Sequence, residues 1–418
     1  MTTAENRLYT PDFLLICVAL AAFFISYHLL TPAFPRYLDT LSSPPWAGAA
    51  TVVASYIFTS MLVRPLVGKW IDETSCKPWM LAGAAIFILC PFLYPLMGSG
   101  PPLLLVRGLH GAGLALFYTA AHALVSRLIP SSRRAEGMGA SGNAVKIAMA
   151  FSPGLAVMLS DQNAFGTLFG LASAFAVLAL ICTFLIREKK PDLSTTSPGS
   201  KGAWLNREAI GPGLVQGLTS VAFGALMSFA PMLALEHHLG MIQGWGWQAP
   251  AASVFYTAYA IFLMGSRALT GPWSDRFGRW VTVIPGVAGV SVSMLVLALA
   301  RDPWLFIAGG ALYGLAAGMV MPSLMAIVTD RVPVERRGSA MATFTLMNDG
   351  GNLLGTYLAG QLGPVLGFGW TFAGPLSLLT LAALGVFLWL ERRSSFKRPD
   401  NFPKGLASAA KAATAVTR

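Results

Sequence analysis

A chain of 418 residues that is 55% hydrophobic, only 11% charged and has a mean hydropathy of +0.62 carries too little polar surface to cover a water-soluble globule of its size. Its net charge of +11 would suit a nucleic-acid partner if the cations were gathered on one face, but they follow membrane topology instead, so nucleic acid is set aside. The chain reads as an all-α membrane protein.

A bilayer needs about 20 apolar residues for each spanning helix. Twelve such runs follow one another, near 12–35, 47–67, 79–98, 103–126, 138–160, 164–186, 209–235, 248–270, 281–300, 304–328, 340–366 and 370–390. With the N-terminus on the cytoplasmic side, only Arg36 and Arg301 of the 29 Lys and Arg fall in loops on the opposite side, and four lie within spans. That bias over short loops places both termini in the cytoplasm. The first run is followed by Pro35, Arg36 and Tyr37, not by a small-residue cleavage site, so no cleavable leader is expected. Cys17, Cys76, Cys90 and Cys182 form no CxxC pair and three lie inside spans, so neither a disulfide nor a metal site is expected, and no cofactor is implied.

In chain order, span one carries His28 in SYHLLTP, and span two runs from Tyr56 into RPLVGKWID at 64–72. Span four holds RGLHGAGLALF at 107–117, with Arg107 and His110 on one face. Span five holds Asn143 and Lys146, then AMAFSPGLAV at 148–157, where Pro153 predicts a bend. The stretch 187–208 is charged and rich in Ser and Pro, as a linker would be. After it, RALTGPWSD at 267–275 repeats the span-two segment: Arg64, Gly68, Trp70 and Asp72 recur as Arg267, Gly271, Trp273 and Asp275 at an offset of 203. The same offset maps Tyr56 to Tyr259, Gly111 to Gly314 and Lys146 to Asp349. One shift fits all of these, so the chain reads as two homologous six-helix bundles, at 1–186 and 209–391, joined by the linker 187–208 and followed by a basic tail at 392–418. The decapeptide GPWSDRFGRW, 271–280, is expected as a loop on the cytoplasmic side between spans eight and nine.

Two six-helix halves, a basic central linker and a G-xxx-D-R-x-G-R element after span eight resemble the major facilitator superfamily over essentially the whole chain. The element matches at Gly271, Asp275, Arg276, Gly278 and Arg279; in the first half Gly68 and Asp72 remain while Glu73, Thr74, Ser75 and Cys76 replace the rest. Span four is similar to the family's R-x-x-(polar)-G-x-G-x-A element of proton-driven drug exporters, with His110 where glutamine is common. Span five is similar to its antiporter element, with Ser152–Pro153 for Gly-Pro and Ala156 and Val157 for the closing glycines. The resemblance implies a monomeric secondary transporter of the bacterial inner membrane that moves a small solute by alternating access, with the loop elements as a cytoplasmic gate. A tight turn with topogenic charges is the simpler reading of those loops.

Ionisable groups at membrane depth cost several kcal/mol unless they find partners or water, so each is a functional candidate. Of 18 acids only Asp349 lies well inside a span, in LMNDGGNLLG, with Asn352 on the same face and the pair Gly350–Gly351 expected to weaken the helix. Asp349, with His28 and His110, is the candidate for proton coupling. Arg107, Lys146, Asn143, Asn352, Tyr56 and Tyr259 are the candidates for the substrate cavity, whose positive balance suits an anionic substrate. A helix-packing ion pair or hydrogen-bonded clamp stands as the alternative for Asp349 and Lys146. Glu236-His237-His238 is a weak metal pattern. The expected function is proton-coupled efflux of a small organic solute, with protons and membrane lipid as further partners; an uptake symporter or a transport-inactive scaffold would share most features. No HExxH, GxSxG or GxxxxGK[ST] pattern supports an enzyme or ATP drive.

Overall fold

Caps and prolines start helices where the apolar runs begin. The Thr10 hydroxyl accepts from the Phe13 amide at 3.2 Å and Pro11 fills the first helical position, so α1 runs Pro11–Asp39. Asp302 caps α10 (Pro303–Arg331) in the same way, accepting from Trp304 and Leu305 amides at 2.9 and 3.0 Å. The computed structural model describes residues 8–41, 48–130, 133–188, 206–244, 247–332 and 337–393. Within them the remaining rods are α2 (Ala49–Glu73), α3 (Lys77–Met97), α4 (Pro101–Leu128), α5 (Arg134–Asp161), α6 (Phe165–Leu185), α7 (Arg207–Glu236), α8 (Ala251–Phe277), α9 (Trp280–Leu299) and α11 (Arg337–Leu366). The twelfth rod is composite: α12 (Phe368–Thr371), a π-helical turn at Phe372–Leu376 that contains Pro375, and α13 (Ser377–Arg393).

Ten of these rods are long and apolar enough to cross a membrane by themselves; α8 and α11, which carry Arg267 and Asp349, fall short. Two details depart from the sequence reading. The stretch 271–280 is not an extended loop: α8 continues to Phe277, Gly278 closes it at φ 94°, and α9 begins at Trp280. Hydropathy marks where lipid ends, whereas this helix runs on past that boundary. At the end of the molecule away from the termini, a hairpin of β1 (Met241–Gly244) and β2 (Trp247–Pro250) joins α7 to α8, pairing Met241 with Pro250 and Gly244 with Trp247.

The repeat is built into the packing. Within each half the same tyrosine and glycine meet: a Cβ added at Gly111 would lie 2.1 Å from the Tyr56 carbonyl oxygen, and one at Gly314 would lie 2.2 Å from that of Tyr259. Only a hydrogen in place of a side chain lets α4 cross α2, and α10 cross α8, at that distance. Between halves, α2 packs on α11, α5 on α8 and α1 on α7.

Where the apolar core is continuous decides the shape. At the end away from the termini, one core joins both halves, including Leu30 and Phe34 of α1 with Phe229 and Leu233 of α7. At the end that holds the termini, each half has its own core: Phe13, Ile16 and Leu124 belong to one, Val215, Leu324 and Phe344 to the other. One apolar core thus joins the halves at one end, while at the other each half keeps its own.

Candidate functional site

Three groups of polar side chains lie along the seam between the halves. Nearest the shared core is a box of rings around Arg107. This guanidinium is 3% exposed, donates to the Tyr94 hydroxyl at 3.3 Å, and lies 4.0 Å from the Phe34 ring centre and 4.7 Å from that of Tyr56. The Tyr94 hydroxyl also bonds His110 Nδ1 at 2.6 Å. Among the described residues no acid faces Arg107, so its charge rests on two ring faces and one hydroxyl, each desolvated cation–π contact contributing about 2 kcal/mol. Its burial among these rings argues against snorkelling to the interface. His28 is buried on α1, with the Tyr27 ring at 4.6 Å and no partner for Nδ1. Tyr56 and Tyr259 are equally enclosed; Tyr27 stacks on the first and Tyr313 lies against the second.

The second group is an ion pair between the halves, Arg64 of α2 with Asp349 of α11. Asp349 is aimed by its neighbours. Asn348 donates to Asp349 Oδ1 at 3.3 Å, while its own Oδ1 accepts from Ser220 at 2.7 Å and Gln216 at 3.0 Å, both on α7. The Gly350–Gly351 pair does not break α11, which runs through it; Gly351 serves packing instead, since a Cβ there would lie 1.8 Å from the Gly217 carbonyl oxygen. Asn352 does not join the carboxylate; its oxygens lie against α7 at Gly224. The Tyr118 ring lies 5.5 Å from the Arg64 guanidinium.

The third group is basic. Lys146 of α5 bonds Asn143 Oδ1 at 3.3 Å and, contrary to what equal depth in the two halves would suggest, is not the ion-pair partner of Asp349. Among the described residues Arg267 of α8 reaches only the Met321 sulfur, at 4.0 Å, and its Nε has no partner. Arg64 and Arg267 are the residues that sequence reasoning missed as site members. Both belong to the four cations counted inside spans, a signal that was there to use.

At the terminal end the loop elements bind within each half. Arg279 bonds Asp330 of α10 at 3.2 Å and Ser274 at 3.2 Å, while Arg276 lies exposed over Phe277. In the first half, where the motif is degenerate, Glu188 takes over: it accepts from the Cys76 and Lys77 amides at 2.8 Å each and from Arg127 at 3.1 Å. Gly68 has open space around it. The side chains of Asp72 and Asp275, and the surroundings of Gly271, lie outside the described residues. Glu236, one of the three residues of the weak metal pattern, caps α12 through the amides of Phe368 and Gly369, and burial pushes the adjacent His237 imidazole below its ordinary pKa.

Two apolar clefts, of about 910 and 630 Å³, flank the seam. Phe58, Leu105 and Tyr357 line the first and Phe151 and Leu155 the second, all exposed on the outer surface, and none of the seam's charged groups lines either. Both are apolar and lie off the polar path.

Comparison with known proteins agrees with this architecture. A family profile described as Major Facilitator Superfamily matches residues 14–245 and again residues 213–416. The MFS-type transporter YwfA of Bacillus subtilis (strain 168) is 32% identical over 114 residues, 27% of this chain and 28% of that protein. The multidrug resistance protein MdtG of Yersinia enterocolitica is 28% identical over 182 residues, 43% of this chain and 42% of that one. The chain therefore matches less than half the length of these relatives. A POT family transporter crystallised with 5-aminolevulinic acid has the same fold, with a TM-score of 0.74 over 90% of this chain and 95% of that one at 13% identity.

Proposed function

The chain belongs to the major facilitator superfamily of multi-pass membrane transporters, and from that premise we propose that it is a monomeric, proton-coupled exporter of a small organic anion from the bacterial cytoplasm, with both termini on the cytoplasmic side. The observation that carries this reading is the Arg64–Asp349 pair, which ties one half to the other through an acid set in the middle of a span.

An ionised Asp349 holds Arg64 and keeps α2 against α11. A proton on the carboxylate cancels that attraction and leaves the halves free to rock. Removing one partner from a buried ion pair costs about 3–5 kcal/mol. One proton crossing 100 mV supplies about 2.3 kcal/mol and each pH unit adds about 1.4 kcal/mol. These magnitudes are comparable, so a normal gradient is enough to make and break the pair once per cycle. Separate apolar cores at the terminal end suit an inward-open state, ready to take solute from the cytoplasm. Solute closes that end and opens the other; protonation of Asp349 from outside resets the cycle. In this scheme Arg107, His110 and His28 form the sealed outer plug, and the polarity of the seam, rich in guanidinium and poor in carboxylate, sets the charge of the cargo. The relation to a multidrug resistance protein supports efflux as the direction.

The test is gradient-driven accumulation of carboxylated fluorescent dyes, fluorescein first, in everted vesicles made acid inside. Accumulation is expected with the native chain and at least a 100-fold slower rate with Asp349→Asn. Accumulation only in right-side-out vesicles made acid outside would make the protein an uptake symporter; no gradient dependence in either orientation would end the proton-coupled reading.

A further inference from the structure

We propose that Lys146 and Arg267 form an anion-binding site at the α5/α8 junction, where a carboxylate or phosphate group of the solute becomes the counter-charge that Asp349 supplies to Arg64 at the α2/α11 junction. The inference rests on the transport reading above and deepens it.

The internal repeat makes the two junctions equivalent. The offset of 203 turns Arg64 into Arg267 and Lys146 into Asp349, so the two-fold relation carries the pair Arg64/Asp349 onto Arg267/Lys146 with a base standing where the acid was. Packing follows the same relation. On one side Ala50 of α2 meets Gly360 of α11, where an added Cβ would lie 2.7 Å from the Ala50 Cβ; on the other Ser253 of α8 donates to the Gly154 carbonyl of α5 at 2.7 Å. Ala50 and Ser253 are themselves separated by 203. From each of these crossings the arginine lies about 21 Å along its helix toward the terminal end, at a rise of about 1.5 Å per residue.

What differs is the charge. Arg64 is satisfied by Asp349. Lys146 has the Asn143 carbonyl oxygen and Arg267 has a thioether, and among the described residues neither has an acid within ion-pair reach. Lys146 and Arg267 both lie on the terminal side of the crossing where α5 and α8 meet at Gly154 and Ser253. Two like charges across an inter-half seam push the halves apart, and an anion between them reverses the sign of the interaction. The flat fork of Arg267 suits a bidentate oxyanion, and Lys146 adds a mobile point charge. Both face the end where the halves have separate cores, so an anion arriving there meets an open door that its own charge would close.

An anionic lipid headgroup offers the same chemistry as a free solute, and the test separates them. Purified protein is placed in phosphatidylcholine or phosphatidylglycerol nanodiscs without any gradient, and its thermal midpoint and a spin-label distance across the terminal end are followed during titration with benzoate, phenyl phosphate or neutral benzamide. The two anions, but not benzamide, are expected to raise the midpoint and shorten the distance in phosphatidylcholine. Lys146→Ala and Arg267→Ala are each expected to raise the half-saturating concentration at least 10-fold, Lys146→Arg to restore it, and Lys146→Asp to shorten the distance with no anion present. Absence of an anion response in the native chain, or an unchanged response in both alanine variants, overturns the site; a response to phosphatidylglycerol alone overturns the solute as its source. Because no gradient enters, an intact anion response beside a failed vesicle assay would strike only the proton-coupled reading, and the converse would strike only this one.

Discussion

The α2/α11 and α5/α8 junctions are the same construction with opposite electrostatics. Both set a small residue of one half against the backbone of the other, Ala50 with Gly360 and Gly154 with Ser253, and both bring an arginine to the same depth. At the first the arginine finds a carboxylate held by Asn348, which Gln216 and Ser220 hold in turn; at the second a lysine stands at the position equivalent to that acid. The repeat relates the two junctions, yet one carries an acid where the other carries a base; under the proposals above, the first seam is closed by an internal acid that a proton can switch and the second is left for an external anion.

The comparison breaks most severely if the first junction is made like the second. Asp349→Lys should leave Arg64 facing a cation, remove about 3–5 kcal/mol of stabilisation from the seam, and reduce dye accumulation by at least 100-fold; near-normal transport would show that the pair is incidental. Next in size is a packing change that touches neither charge. Gly351→Val drives a side chain into the Gly217 carbonyl, so α7 and α11 must separate, and overpacking of this kind costs about 1–3 kcal/mol. The thermal midpoint of the purified protein should fall by several degrees while the anion response, measured below that midpoint, persists; loss of both together would mean that the two junctions are not independent. The smallest effect is expected at the rim. Arg279→Ala removes a half-exposed ion pair to Asp330 inside one half, worth about 0–1 kcal/mol, so thermal stability should hardly move, and any change should be in the rate of dye accumulation. A large loss of stability there would assign the loop element to holding its half together instead of gating.

Much of this architecture was legible before any coordinates. Apolar runs of bilayer length placed the twelve rods to within a few residues, apart from the ends of α2 and α8, whose polar last turns project beyond the apolar core. The 203 offset exposed the duplication, and its markers turned out to be contacts: Tyr56 with Gly111 and Tyr259 with Gly314 are the crossings of α2 with α4 and of α8 with α10. Asp349 stood out because an acid among apolar residues is costly and rare. Its partner did not. Arg64 lies 285 positions away and was read as a marker of the repeat, and the ion-pair alternative had been sought at Lys146.

Sequence by itself determined the number of spans, their alternation, the two halves and the short list of buried charges, because each follows from local hydropathy or from a match between segments, properties written along one dimension. Which charges meet was decided only by tertiary structure. An α-helix presents every direction within two turns, so the face that meets a distant helix depends on how both rods are rotated and where they cross. Those quantities arise from packing over the whole seam: the glycines that let α11 lie on α7 also swing Asp349 toward Arg64, and the rings of Phe34, Tyr56 and Tyr94 close over Arg107 from three different helices.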